Sequence, residues 1–124
     1  MNIAVIFAGG SGLRMHTKSR PKQFLELNGK PIIIYTLELF DNHPEIDGIV
    51  VACIESWIPF LEKMIRKFEI SKVVKIVPGG NSGQDSIYHG LCAAEEFADG
   101  KDANVLIHDG VRPLITEETI TDNI

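Results

Sequence analysis

Ile3-Ala4-Val5-Ile6-Phe7-Ala8-Gly9-Gly10-Ser11-Gly12 passes within ten residues from an unbroken apolar run to three glycines in four positions. A run from Ile3 to Phe7 with no polar alternation has the length and content of a strand covered on both faces, as strands of parallel sheets are. The glycines that follow cannot continue it, so the chain must turn there. A buried strand that ends abruptly in a glycine-rich turn is the opening of a β-α-β arrangement.

The rest of the chain keeps that alternation. Ile32, Ile33, Leu37, Leu39 and Phe40 recur at near-helical spacing behind Pro31, a residue suited to the first turn of a helix. Gly48 to Cys53 reads as the second strand. Trp57, Leu61, Met64, Ile65 and Phe68 mark the next helix, with Glu62, Lys63, Arg66 and Lys67 turned outward. Val73 to Val77 is the third strand, ended by Pro78-Gly79-Gly80. From Asp85 to Phe97, Ile87, Leu91, Ala94 and Phe97 form a further helical face. Asn104 to His108 is the fourth strand, read as buried and stopped by Asp109-Gly110-Val111-Arg112-Pro113. Thr116, followed by two glutamates, reads as the N-cap of a last helix. The expected fold is α/β: a Rossmann-like three-layer α/β/α unit with a mainly parallel sheet.

Composition narrows the function. A chain of 124 residues is one compact unit, expected as a single domain over 1–124. Twelve basic against 17 acidic side chains leave a formal charge of −5, which argues against charge-driven binding to nucleic acid. A hydrophobic share of 44% with 23% charged residues suits a folded globule. No apolar run is long enough to cross a membrane, and the N-terminal segment lacks the basic start of a secretory signal. Cys53 and Cys92 have no metal-ligand spacing and read as two reduced core thiols, which predicts a cytoplasmic protein. No Gly or Pro closes the stretch ending at Ile124, so the chain reads as part of a longer one.

In open parallel sheets, ligands bind at the carboxyl ends of the strands. The distinctive residues fall in three loops at that end, 8–15, 78–86 and 109–113, and this predicts one site. Within the first loop, Ala8, Gly9, Gly10, Ser11 and Gly12 allow positive φ and close backbone approach, so several N–H groups can converge on a phosphate. The loop is neither a dinucleotide fingerprint, because Met15 stands where the third glycine is needed, nor a P-loop, because Leu13-Arg14 follows Gly12.

Three ordered motifs carry a family resemblance. They are Ala8 to Met15 with Arg20-Pro21-Lys22-Gln23-Phe24-Leu25 and Gly29-Lys30-Pro31-Ile32; Gly79-Gly80 with Ser86 ahead of a helix; and His108-Asp109-Gly110-Val111-Arg112-Pro113. Together they resemble the sugar-phosphate nucleotidyltransferases. The Pro-Lys-Gln-Phe-Leu form is similar to the branch that holds the 2-C-methyl-D-erythritol 4-phosphate and ribitol-5-phosphate cytidylyltransferases. The resemblance runs from about residue 3 to 118. Members of that branch are nearly twice this length, which implies that this chain is the N-terminal part of a longer catalytic domain.

The resemblance implies transfer of CMP from CTP to a polyol phosphate with release of pyrophosphate, aided by Mg2+, in an enzyme that is a homodimer when full length. Both reactants are polyanions, and charge grows on the non-bridging phosphate oxygens as the bond forms. Arg14 and Lys22 are the counter-charges it points to, against the alternatives of solvation or a salt bridge with a nearby acid. Lys18 and Arg20 read as rim residues. Asp109 is assigned the metal, the alternative being a turn-capping carboxylate. Gly79, Gly80 and Asn81 would read the base through the main chain, and Ser86 either joins them or caps the helix. Arg112 either pairs with Asp109 or contacts the acceptor phosphate. His108 reads as a strand-end packing residue.

One departure from the branch is Gly83, where many members carry an arginine three residues before the serine. Two other readings stand beside this one: a transferase of the same fold with a different nucleotide, and a nucleotide-binding module without catalysis. Retention of both Lys22 and Asp109 speaks against the second. Trp57, Tyr35 and Tyr88 are expected to pack, while His43 reads as a loop residue and His89 as a helix-surface one.

Overall fold

The structure, a computed structural model, describes residues 1–8, 24–79 and 83–110. Its elements in chain order are β1 (Asn2–Ala8), β2 (Glu26–Leu27), β3 (Lys30–Pro31), α1 (Ile32–Asp41), β4 (Gly48–Cys53), α2 (Ile58–Lys67), β5 (Val73–Pro78), α3 (Gly83–Ala98) and β6 (Asn104–Asp109). A 3-10 turn over Glu55–Trp57 leads into α2. The last helix expected at Thr116 lies outside the described residues.

Among the described residues the main sheet has four strands in the order β5-β4-β1-β6, all parallel. Ile3, Ala4, Val5 and Ile6 of β1 and every residue of β4 from Ile49 to Cys53 are fully buried, because both strands are covered on both faces. That is why they read as unbroken apolar runs. Side chains alternate between the faces. Ala4, Ile6, Ile49 and Val51 belong to one core with Ile33 and Leu37 of α1 and Leu61 of α2. Ile3, Val5 and Val50 belong to a second core with Ala93, Ala94 and Ala98 of α3. The chain moves outward from β1 to β4 to β5, and α3 then carries it back to the other side of β1. A right-handed crossover in the reverse direction puts its helix on the opposite face, which gives the three layers.

The face that α3 buries keeps the expected Ala94 but otherwise differs from the expected one. Ser86, Gly90, Ala93, Ala94 and Ala98 are turned inward, whereas Leu91 and Phe97 are 36% and 37% exposed. The helix lies so close to the sheet that small residues must line the contact. A β-carbon on Gly90 would stand 2.5 Å from Val5 Cγ1, and one on Gly48 would stand 2.8 Å from Phe97 Cε2. The larger side chains therefore sit on the flanks.

Three further expectations are corrected. Cys53 is buried, but Cys92 is exposed on the outer side of α3, and neither is in a disulfide. Tyr88, one turn earlier on that side, is 65% exposed and does not pack; its hydrogen bond to Cys92 pushes the phenol up from its ordinary pKa. His43 lies in the loop between α1 and β4, as expected, and is buried there; its Nδ1 accepts the Glu45 amide at 3.1 Å. β6 is not a buried strand either. Val105 and Ile107 are 39% and 47% exposed, since β6 is the edge of the sheet among the described residues.

Absent from the sequence reading is the small antiparallel pair β2–β3, with Glu26 opposite Pro31 and Leu27 opposite Lys30. Its two-residue turn is Asn28-Gly29, with φ of 55° and 80°, the conformation that Asn-Gly favours in tight hairpins. The hairpin is fastened to α1: the Tyr35 hydroxyl donates to the Leu27 carbonyl, and Lys30 Nζ donates to both Glu38 carboxylate oxygens at 2.8 and 2.9 Å.

Candidate functional site

Because the four strands are parallel, Ala8, Cys53, Pro78 and Asp109 all lie at one end of the sheet. The registers place them in a row: Phe7 is opposite Asp109, Ala8 opposite Cys53, and Cys53 opposite Pro78. Three inter-strand spacings of roughly 4.8 Å make this row about 14 Å long. The chain leaves β1 toward β4 but reaches β6 from the far edge, so the gap between β1 and β6 is the topological switch point of the sheet. Ligands of doubly wound sheets bind at such a point. Ala8 and Asp109 stand on its two sides.

Asp109 is the last residue of β6 rather than the first of the loop, and it is half-buried. Alternation puts it, with its register partner Phe7, on the α3 side of the sheet, the side on which Ile3 and Val5 meet that helix. His108 points the other way. Its ring lies 5.6 Å from that of Phe40 on α1, as a packing residue at a strand end should. The Gly110 amide donates to the Phe7 carbonyl at 3.1 Å, so β1 and β6 stay paired to the rim of the site.

On the other flank, the Gly79 amide donates to the Cys53 carbonyl at 2.7 Å, which fixes where the 78–86 loop starts. Ser86 sits in the first turn of α3, which begins at Gly83, and is fully buried. It is thus inside the helix and not its N-cap, which removes the capping alternative. Asp85 does lie in that first turn, where a negative charge is favoured. Burial pushes the Cys53 thiol up to about 12, which disfavours the thiolate near neutrality.

Of the expected site residues, the structure brings Ala8 and Asp109 together and sets Gly79 and Ser86 along the same end. Gly9, Gly10, Ser11, Gly12, Arg14, Lys22, Gly80, Asn81 and Arg112 lie outside the described residues, as do Lys18 and Arg20. Residues that the sequence reading missed stand at the border of that first segment. Phe24 is fully buried and packs on Trp57 and Phe60. The signal was there, in an apolar Phe24-Leu25 directly after the Pro-Lys-Gln stretch.

Among the described residues, no three His, Cys, Asp or Glu side chains come together as a metal cage. One carboxylate at the switch point still suits magnesium, a hard cation that is usually held by one or two carboxylates with substrate phosphates and water. Two open hollows, of about 400 Å³ beside Cys92 and Asp99 and about 270 Å³ between α2 and β5, do not touch Ala8, Gly79, Ser86 or Asp109.

A parallel α/β sheet with Ala8 and Asp109 on the two sides of its switch point has the ligand-binding geometry of doubly wound α/β proteins. Comparison with known proteins gives the family. The model for IspD, 2-C-methyl-D-erythritol 4-phosphate cytidylyltransferase, matches residues 2–124, and the chain belongs to that family. It is 57% identical over its whole length to a ribitol-5-phosphate cytidylyltransferase of Vibrio parahaemolyticus, covering 52% of that protein. It is 45% identical to a 2-C-methyl-D-erythritol 4-phosphate cytidylyltransferase of Clostridium botulinum, with 99% of this chain and 52% of the relative covered. The crystal structure of 4-diphosphocytidyl-2C-methyl-D-erythritol synthase from Anaerococcus prevotii superposes with a TM-score of 0.75 at 29% identity, over 98% of this chain and 48% of that one. The chain thus spans about half the length of the curated relatives it matches.

Proposed function

We propose that this chain carries the CTP-binding half of a cytidylyltransferase, which moves CMP from CTP to a polyol phosphate and releases pyrophosphate. The observation that carries the reading is the pairing of β1 with β6, which stands Ala8, the start of the glycine-rich loop, beside Asp109 at the switch point. Family membership supplies the reaction class. Ribitol 5-phosphate is the acceptor we propose first, because relatives named for it reach 57% and 55% identity, against 45% for those named for methylerythritol phosphate.

In this reading the amides of residues 8–12 cradle the triphosphate, and Arg14 and Lys22 neutralise the charge that grows around the α-phosphorus. Gly79, Gly80, Asn81 and Ser86 border the base, and Arg112 meets the acceptor phosphate. Asp109 would hold Mg2+, which would shield the negative charge of the triphosphate. In this reading the acceptor phosphate oxygen attacks the α-phosphorus directly, and pyrophosphate leaves as the bond to it breaks. A homodimeric, cytoplasmic whole protein belongs to the same proposal, and the two free thiols fit a reducing compartment.

The test is pyrophosphate release by the full-length protein with CTP, UTP, GTP and ATP against ribitol 5-phosphate, methylerythritol phosphate and other polyol phosphates. A CTP preference with ribitol 5-phosphate as best acceptor is expected. A preference for UTP or GTP overturns the nucleotide assignment, and absence of pyrophosphate release with all four nucleotides overturns the enzymatic one.

A further inference from the structure

The geometry points to Thr36 as a positioning residue that sets the direction of Asp109 from the opposite face of the sheet. The inference rests on the reading of Asp109 as the residue that holds Mg2+ with CTP.

The helix α1 buries Ile33, Ile34, Thr36, Leu37 and Phe40. Four of these are apolar, and a hydroxyl among them is kept only with a hydrogen-bond partner. Thr36 is fully buried, and its Oγ1 donates to the carbonyl of Gly110 at 3.1 Å, across 74 residues of sequence. Gly110 is the residue after Asp109. Its amide donates to the Phe7 carbonyl at 3.1 Å. On its third side there is no slack: a β-carbon there would meet Ile6 Cγ2 at 3.3 Å, and Ala8 Cβ and Ile33 Cδ1 at 3.4 Å.

The backbone following Asp109 is therefore held at its amide, its carbonyl and its α-carbon. A strand that runs out into a loop ordinarily loses its direction at the last ladder bond. Here the ladder is prolonged by one bond to β1 and one bond to a helix side chain, and the Cα–Cβ vector of Asp109 is fixed as a result. Ala8 and Ile33, which touch the same spot, tie the glycine-rich loop's first residue to the same anchor. Removal of the Thr36 hydroxyl frees one side of that anchor and touches no group that would meet substrate. Residues that orient a metal ligand commonly change metal affinity or activity about 10- to 100-fold when altered.

The experiment compares full-length Thr36→Val, Thr36→Ser, Gly110→Ala and Asp109→Ala with the parent. The Mg2+ concentration for half-maximal turnover is measured at saturating CTP. CTP binding is measured by calorimetry with Mg2+ and with chelator. Thr36→Val is expected to raise the Mg2+ requirement about tenfold and to weaken CTP binding only when Mg2+ is present. Thr36→Ser should restore both to within about twofold, since it keeps the donor. Gly110→Ala, which crowds the same peptide without touching the hydroxyl, should shift them in the same direction as Thr36→Val and keeps the test open should the valine variant not fold.

A Mg2+ dependence unchanged in both Thr36→Val and Gly110→Ala, with only a lower melting temperature, overturns the inference; so does failure of the serine to rescue. Should Asp109→Ala shift the Mg2+ dependence while Thr36→Val does not, Thr36 alone is refuted. Should Asp109→Ala leave it unmoved, the reading of Asp109 fails and this inference falls with it.

Discussion

The ring of Phe24 stacks on the indole of Trp57, with centroids 5.0 Å apart and planes 14° apart, and Phe60 meets both rings edge-on at 5.6 and 5.3 Å. Phe24 comes two residues after Lys22, so the covalent chain cannot carry the Lys22 α-carbon more than about 7 Å from it. An aromatic anchor at the entrance to α2 thus bounds the reach of the Pro-Lys-Gln stretch.

Phe24→Ala should lower stability by about 3–5 kcal/mol, as loss of a fully buried ring does. Urea unfolding checks this. A loss below about 1 kcal/mol would mean that the cluster carries little of the fold.

Gly90→Ala is expected to cost about 1–3 kcal/mol, because the added methyl is forced against Val5. Val5→Ala removes the offending Cγ1 and should recover part of that loss in the double variant. Strict additivity of the two changes in unfolding free energy would sink the steric account.

The two thiols should part company. In the native protein a thiol-specific disulfide reagent should modify Cys92 rapidly, and Cys53 only after unfolding. The Cys53 pKa of about 12 in the folded chain lies above the ordinary thiol value of 9.0. The unfolded state therefore loses this proton first as pH rises. The contribution of the buried thiol to stability is complete below about 9 and declines as pH climbs toward about 12. Unfolding midpoints across that window, in the parent and in Cys53→Ala, measure it: the parent's midpoint should fall more steeply.

Lys22→Ala and Arg14→Ala should each slow turnover about a hundredfold, about 3 kcal/mol of barrier, with the fold intact. Steady-state kinetics with CTP and ribitol 5-phosphate decide this, and a parent-like kcat removes the residue from the transition-state role.

Much of the fold was readable along the chain. β1 and β4 are covered on both faces, so burial writes itself into them as uninterrupted apolar runs, and their limits fell within a residue of the observed Asn2–Ala8 and Gly48–Cys53. The order of strands and helices along the chain followed from the turns between them. The hairpin escaped although Asn28-Gly29 announces it, because two-residue strands leave no periodicity to detect. The inward face of α3 escaped for a different reason. Hydrophobic patterning ranks side chains by size, whereas a helix lying on Val5 demands their absence, so Gly90 and three alanines took the contact.

Local sequence, then, was enough for the alternation of elements along the described residues and for the acid at the end of β6, since each is set by a residue's own conformational limits and its near neighbours. It could not say that β6 returns beside β1 rather than beyond β5, nor that a threonine on α1 reaches the carbonyl next to Asp109. Those facts arise from contacts between residues as much as 102 positions apart, and they exist only once two cores have closed on opposite faces of one sheet.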